Sequence, residues 1–137
     1  MGMRGATEPR YDGGVDGQPV LMLVQDLLLR QLVEEGLKAG GYAPIGAAGP
    51  TRMRERLATH DVAAIVIDLE ATSFDAPSLI GELRAAPETA VLPILGLCGH
   101  TNRDARRSAL AAGCTRVVTR GEVASRLDQL VAALIAG

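Results

Sequence analysis

Apolar residues along the chain fall into short unbroken runs separated by stretches with helical periodicity. Val20 to Val24, Ala63 to Asp68 and Leu92 to Cys98 are continuous runs, the mark of strands buried on both faces. Residues 43–47 and Arg116-Val117-Val118-Thr119 read as a weaker and a shorter strand. Between the strands, Leu29, Leu32, Val33 and Leu37 recur at helical spacing over residues 27–39. That helix closes at Gly40-Gly41, where glycine supplies a left-handed cap. Pro50 opens a short helix to Ala58 with Met53 and Leu57 inward. Asp75 is placed to cap a helix running to about Ala85 through Leu79, Ile80 and Leu83. Thr101 or Asn102 caps the next helix, which ends at Gly113, and Val123, Leu127, Leu130, Val131 and Leu134 form the apolar face of the last. Strand and helix alternate five times. This order predicts a doubly wound α/β fold, a parallel sheet between two helical layers. Such folds place their sites outside the carboxyl ends of the strands. The residues there are Val24-Gln25-Asp26, Asp68-Leu69-Glu70, Cys98-Gly99-His100 and Thr119-Arg120-Gly121.

Composition narrows the function classes. At 137 residues the chain fits one domain. Residues 1–17 hold five glycines and no periodicity, so a flexible tail is expected ahead of a domain over 18–137. A hydrophobic share of 47% with a net charge of −2 excludes global disorder. The same small net charge argues against a nucleic-acid binder. Tyr11, Tyr42 and Phe74 are the only aromatics, so the core is aliphatic and no base-stacking platform is available. No apolar run reaches membrane-spanning length and no signal peptide is evident. Cys98 and Cys114 lack the spacing of a redox or metal pair, so a reduced, cytoplasmic setting is expected. Neither a G-x-G-x-x-G nor a P-loop follows the first strand. His60 and His100 lie in different loops without ligand spacing, which argues against zinc.

Asp68 is the most informative residue, a carboxylate ending an apolar run at the mouth of the central strand. From Asp68 the chain continues to Leu83-Arg84-Ala85-Ala86-Pro87 and Leu92-Pro93-Ile94, then Ala111-Ala112-Gly113. Arg30 is followed by Gly41-Tyr42 at a matching distance. In these motifs and their spacing, Pro19 to Gly137 resembles the receiver domain of bacterial response regulators. The resemblance implies a flavodoxin-like five-stranded sheet of order 2-1-3-4-5. It also implies phosphorelay signalling in a two-component system, as a signalling module and not an enzyme. By that resemblance Asp68 is the phosphoryl acceptor, with Cys98 and Arg120 beside the phosphoryl group and Mg²⁺ as cofactor. The metal ligands it implies are Asp68, the Glu70 backbone carbonyl, and the residues ending the first strand.

The site residues depart from the family pattern. The acidic pair that holds the metal falls on Val24 and Gln25, or, with a one-residue shift, on Gln25 and Asp26. At least one carboxylate is missing either way. Mg²⁺ demands hard oxygen donors in near-octahedral array. Each lost charge removes a gross attraction of about 4 kcal/mol at contact in partly screened surroundings. Poor Mg²⁺ binding is therefore expected, with Gln25 and Asp26 as substitute ligands. Arg120 stands for the family's lysine, Gly121 for the following proline, Cys98 for a Thr or Ser, and Val117 for the aromatic of the fifth strand. Arg120 is suited to bind a phosphoryl group or to pair permanently with Asp68. The resemblance implies a histidine kinase or phosphotransfer protein as partner. The alternative is a pseudo-receiver that acts as a docking module without phosphorylation. Arg103, Arg106, Arg107, Arg116 and Arg126, with Glu122 and Asp128, mark the C-terminal helix–strand–helix face as a surface for a protein target or a homodimer.

Overall fold

The computed structural model describes residues 17–137, so the expected tail, apart from Gly17, lies outside the described residues. Strands β1 (Pro19–Leu23), β2 (Ala43–Gly46), β3 (Ala64–Asp68), β4 (Ile94–Cys98) and β5 (Arg116–Thr119) alternate with helices α1 (Leu27–Ala39), α2 (Pro50–Thr59), α3 (Ala76–Ala85), α4 (Arg103–Ala112) and α5 (Arg120–Ala136). All strand pairs are parallel and the sheet order is β2-β1-β3-β4-β5, the order expected.

Strand periodicity divides the core into two layers. Leu21, Leu23, Ile65, Ile67 and Ile94 face Met53 of α2, Leu79, Ile80 and Leu83 of α3 and Ala109 of α4. Val20, Met22, Ala64, Val66, Leu95 and Leu97 face Leu29, Val33 and Leu37 of α1 and Val123, Leu127, Leu130 and Val131 of α5. Every residue of β3 and β4 is buried, which accounts for their apolar sequences, Asp68 at the end of β3 excepted. Gly96 in β4 is a packing requirement: a Cβ there would lie 2.7 Å from Leu69 Cδ1 and 3.1 Å from Cys114 Sγ. Its bare backbone lets Leu69 fold over the sheet directly after Asp68.

Several boundaries differ from the expectation for local reasons. Asp75 makes no side-chain cap on α3; its carboxylate accepts from the Ser78 hydroxyl. Asn102, not Thr101, caps α4 by accepting from the Ala105 N–H at 3.1 Å. After α1 it is Gly41, one residue beyond the C-cap, that takes the positive φ of 85°. The last helix starts at Arg120, where Thr119 and Glu122 form a capping box. Leu32, expected on the buried face of α1, is 40% exposed. Among the described residues no helix is long and apolar enough to cross a membrane.

Candidate functional site

The carboxyl ends of β1, β3, β4 and β5 converge on Asp68. Its position as the last residue of the central strand buries it to 2% exposure. A buried carboxylate needs hydrogen-bond donors. Here one oxygen accepts from the Glu70 N–H at 3.0 Å and the other from the Gln25 N–H at 3.3 Å. Among the described residues no Lys or Arg forms an ion pair with Asp68.

The two residues expected to replace the missing acids are engaged elsewhere. The Gln25 side-chain carbonyl accepts from the Thr72 N–H at 2.7 Å and from the Ser73 N–H and hydroxyl at 3.0 Å each. Its amide nitrogen donates to the Thr72 hydroxyl at 3.0 Å. Gln25 thus fastens the loop after Asp68 to the end of β1, and its oxygen is occupied. Asp26 caps α1, accepting from the Leu29 N–H at 2.9 Å, and this bond holds its carboxyl below the usual range. Val24 is buried in the apolar layer beneath α1 and α5.

Arg120, at the first position of α5, does not pair with Asp68. It reaches Asp26 Oδ2 at 3.4 Å and Glu70 Oε1 at 3.3 Å. Glu70 was expected to offer only its backbone, yet its side chain is the hub of the mouth. It accepts from Asn102 Nδ2 at 2.7 Å and from the Gly99 N–H at 3.1 Å, so it ties the loop after β3 to the loop after β4. The Asn102 bond, with the Gly99 and Arg120 contacts, holds the Glu70 carboxyl below its usual value. Sequence spacing hides this role, because the partners lie about thirty residues away across a gap that only the sheet closes. Cys98 is buried beside the mouth, and burial pushes its thiol pKa up, with the nearby Glu70 charge adding to the effect. It behaves as a small apolar filler with a weak contact to the Asn102 carbonyl. His100 is exposed and His60 lies at the opposite end of the sheet, after α2.

A pH dependence follows from Glu70. Its depressed folded-state pKa stabilises the fold above the unfolded value, near 4.5, and that contribution is lost as pH falls through the lower folded value. The stability gap between the wild type and Glu70→Gln is therefore expected to be largest near neutrality and to shrink below about pH 4. Denaturant midpoints across that range check it; a gap independent of pH contradicts the role.

The donor set is poor for a divalent cation. Gln25 and Asp26 are committed to other partners, and Val24 offers no donor. Among the described residues no three His, Cys, Asp or Glu side chains group to hold a metal. Among the described residues, Asp68 alone of the expected carboxylates pairs with no Arg or Lys.

Arg103, Arg107, Arg116 and Arg126 are exposed, whereas Arg106 is half-buried and donates to the Val117 carbonyl at 3.2 Å.

Comparison with known proteins agrees with the topology. No protein-family model matches the chain, and no curated protein matches it. Solved structures do. The receiver domain of the sensor histidine kinase PA1611 from Pseudomonas aeruginosa, which has magnesium coordinated in its active-site cleft, superposes with a TM-score of 0.75 at 22% identity over 88% of this chain and 99% of that one. The chemotaxis response regulator CheY4 of Vibrio cholerae gives 0.70 at 20% identity, over 84% and 98%. The Mn²⁺-bound response regulator Rcp1 gives 0.64 at 16% identity, over 87% and 90%. The five-stranded order and the two helical layers give this chain the same fold as these receiver domains.

Proposed function

We propose that the chain is a receiver module of two-component phosphorelay signalling, with Asp68 as phosphoryl acceptor in a pocket that binds metal poorly. The observation that carries this reading is Asp68 itself. It is a carboxylate at the carboxyl end of the central strand, held by two backbone N–H groups and left without an ion pair. Its free electron pair suits in-line attack on the phosphorus of a phosphohistidine or a small acyl phosphate, with the leaving group departing opposite and an acyl phosphate left on Asp68. The cation that stabilises the developing charge is Arg120, which must first loosen its bonds to Glu70 and Asp26. The charge that a tightly bound metal supplies in this chemistry is underprovided here, so transfer is expected to be slow. A histidine kinase or phosphotransfer protein is the matching donor class. The C-terminal face of α4, β5 and α5 is the matching output surface, for a target or a second copy.

Treatment of the full chain with acetyl phosphate and Mg²⁺, read by intact mass, tests the reading. Slow, partial labelling that vanishes in Asp68→Asn is expected. Rapid stoichiometric labelling would sink the poor-metal account. No labelling by any donor would favour the second reading, a docking module that works unphosphorylated. The grip of Asp26 and Glu70 on Arg120 is what supports that second reading.

A further inference from the structure

A second site lies at the other side of β1, over the carboxyl end of β2. A cavity of about 270 Å³ opens there between α1 and α2, floored by the loop Gly46-Ala47-Ala48 and lined by Arg30, Arg52 and Arg56. No acidic residue lines it among the described residues. Three arginines, each permanently charged, therefore line one small concavity.

The charges are incompletely answered. Arg56 Nε is buried and has no hydrogen-bond partner among the described residues. Such orphans are uncommon in folded proteins, and each calls for a missing partner. Among the described residues Arg30 makes a single long bond, 3.4 Å from its Nε to the Val24 carbonyl. Arg52 contacts Glu55 on its own helix at 2.9 Å, with both side chains 58% exposed; an exposed i,i+3 pair of this kind holds its partner loosely.

The backbone adds to the field. Helix α2, ten residues long, begins beside this loop, and its N-cap, Gly49, provides no side-chain cap. The positive end of the helix is thus unneutralised. A Cβ built at Gly46 or Gly49 meets nothing within 4 Å, so a ligand can approach the bare backbone there.

We propose that this cavity binds the phosphate group of a small soluble anion, independently of Asp68. Planar guanidiniums match phosphate oxygens in bidentate geometry, and a dianion answers the surplus charge of the site. The volume is just under the roughly 300–1,000 Å³ that encloses drug-sized ligands. It accommodates a phosphomonoester of few atoms.

The test is titration calorimetry and thermal denaturation of the full chain with inorganic phosphate, at ionic strength matched with chloride. Phosphate is expected to bind and to raise the midpoint where chloride does not. Arg56→Gln is expected to weaken binding at least about tenfold, as loss of a charge-assisted hydrogen bond does. Arg52→Gln, at an exposed position with no packing role, is expected to do the same and guards against misfolding of the first variant. Arg103→Gln on α4 is expected to bind as the wild type does. Equal effects of phosphate and chloride, or wild-type phosphate affinity in Arg52→Gln and Arg56→Gln, would overturn the proposal.

Discussion

Replacing Arg84 with alanine is expected to lower the stability of the fold by about 2–4 kcal/mol, shifting the denaturant midpoint with little change in slope. Arg84 leaves the last turn of α3 and binds two separate loops. Its Nε donates to the Gly113 carbonyl at 2.8 Å. One terminal nitrogen donates to the carbonyls of Leu92 at 2.7 Å and Ala90 at 3.0 Å, and the other to the Thr115 hydroxyl at 3.1 Å. That hydroxyl in turn accepts from the Ile94 N–H, the first amide of β4. Removing the guanidinium strands several half-buried carbonyls at once, which costs more than the bonds contribute net. It also loosens the tight turn at Gly113, whose φ of 116° admits no ordinary side chain and where a Cβ would strike Arg84 Cγ at 2.7 Å. Arg84→Lys should recover less than half of the loss, because an ammonium cannot reproduce the planar fork. A loss under about 1 kcal/mol in Arg84→Ala would show that water replaces these bonds without penalty.

Arg84 also shows where one-dimensional reading stops. The apolar runs of β1, β3 and β4 identify themselves, since burial on both faces leaves room for nothing polar. Asp68 stands out for the same reason, as a charge that ends such a run. The helices follow from their spacing, and the sheet order from the resemblance that the spacing carries. What the pattern lacks is any mark of a polar side chain's distant partner. Arg84 looks like one helix-surface arginine among thirteen. Glu70 looks like a loop acid, although it joins the mouths of β3 and β4 and holds Arg120. Gln25 reads as a neutral stand-in for a metal ligand, but the loop at Thr72 and Ser73 has taken its carbonyl oxygen and one amide hydrogen. Apart from the bonds of Arg84 to Ala90 and Leu92, these form between residues roughly thirty to fifty apart, so they depend on packing that the local sequence does not encode.

Restoring a single carboxylate should therefore change the pocket more than its charge alone implies. Gln25→Asp is expected to raise Mg²⁺ affinity at least about tenfold and to speed labelling by acetyl phosphate in parallel. The backbone N–H of residue 25 already touches Asp68 Oδ2 at 3.3 Å, so a short acid there stands beside the acceptor. The gross attraction between a cation and one added charge is about 4 kcal/mol at contact in partly screened surroundings. Desolvation and the lost bonds to Thr72 and Ser73 offset much of it, and about 1.4 kcal/mol of net gain already gives the tenfold effect. Without metal the variant should be less stable than the wild type, because two neighbouring carboxylates disfavour each other's ionised form; added Mg²⁺ should reverse that order. Midpoints measured with and without Mg²⁺ decide the matter, and an unchanged metal response would mean that the pocket is closed by its geometry and not by its missing charge. Val24 offers no second route. It is 2% exposed and belongs to the apolar layer under α1 and α5, so an acid there would be buried without a partner and destabilise the fold before it met a metal.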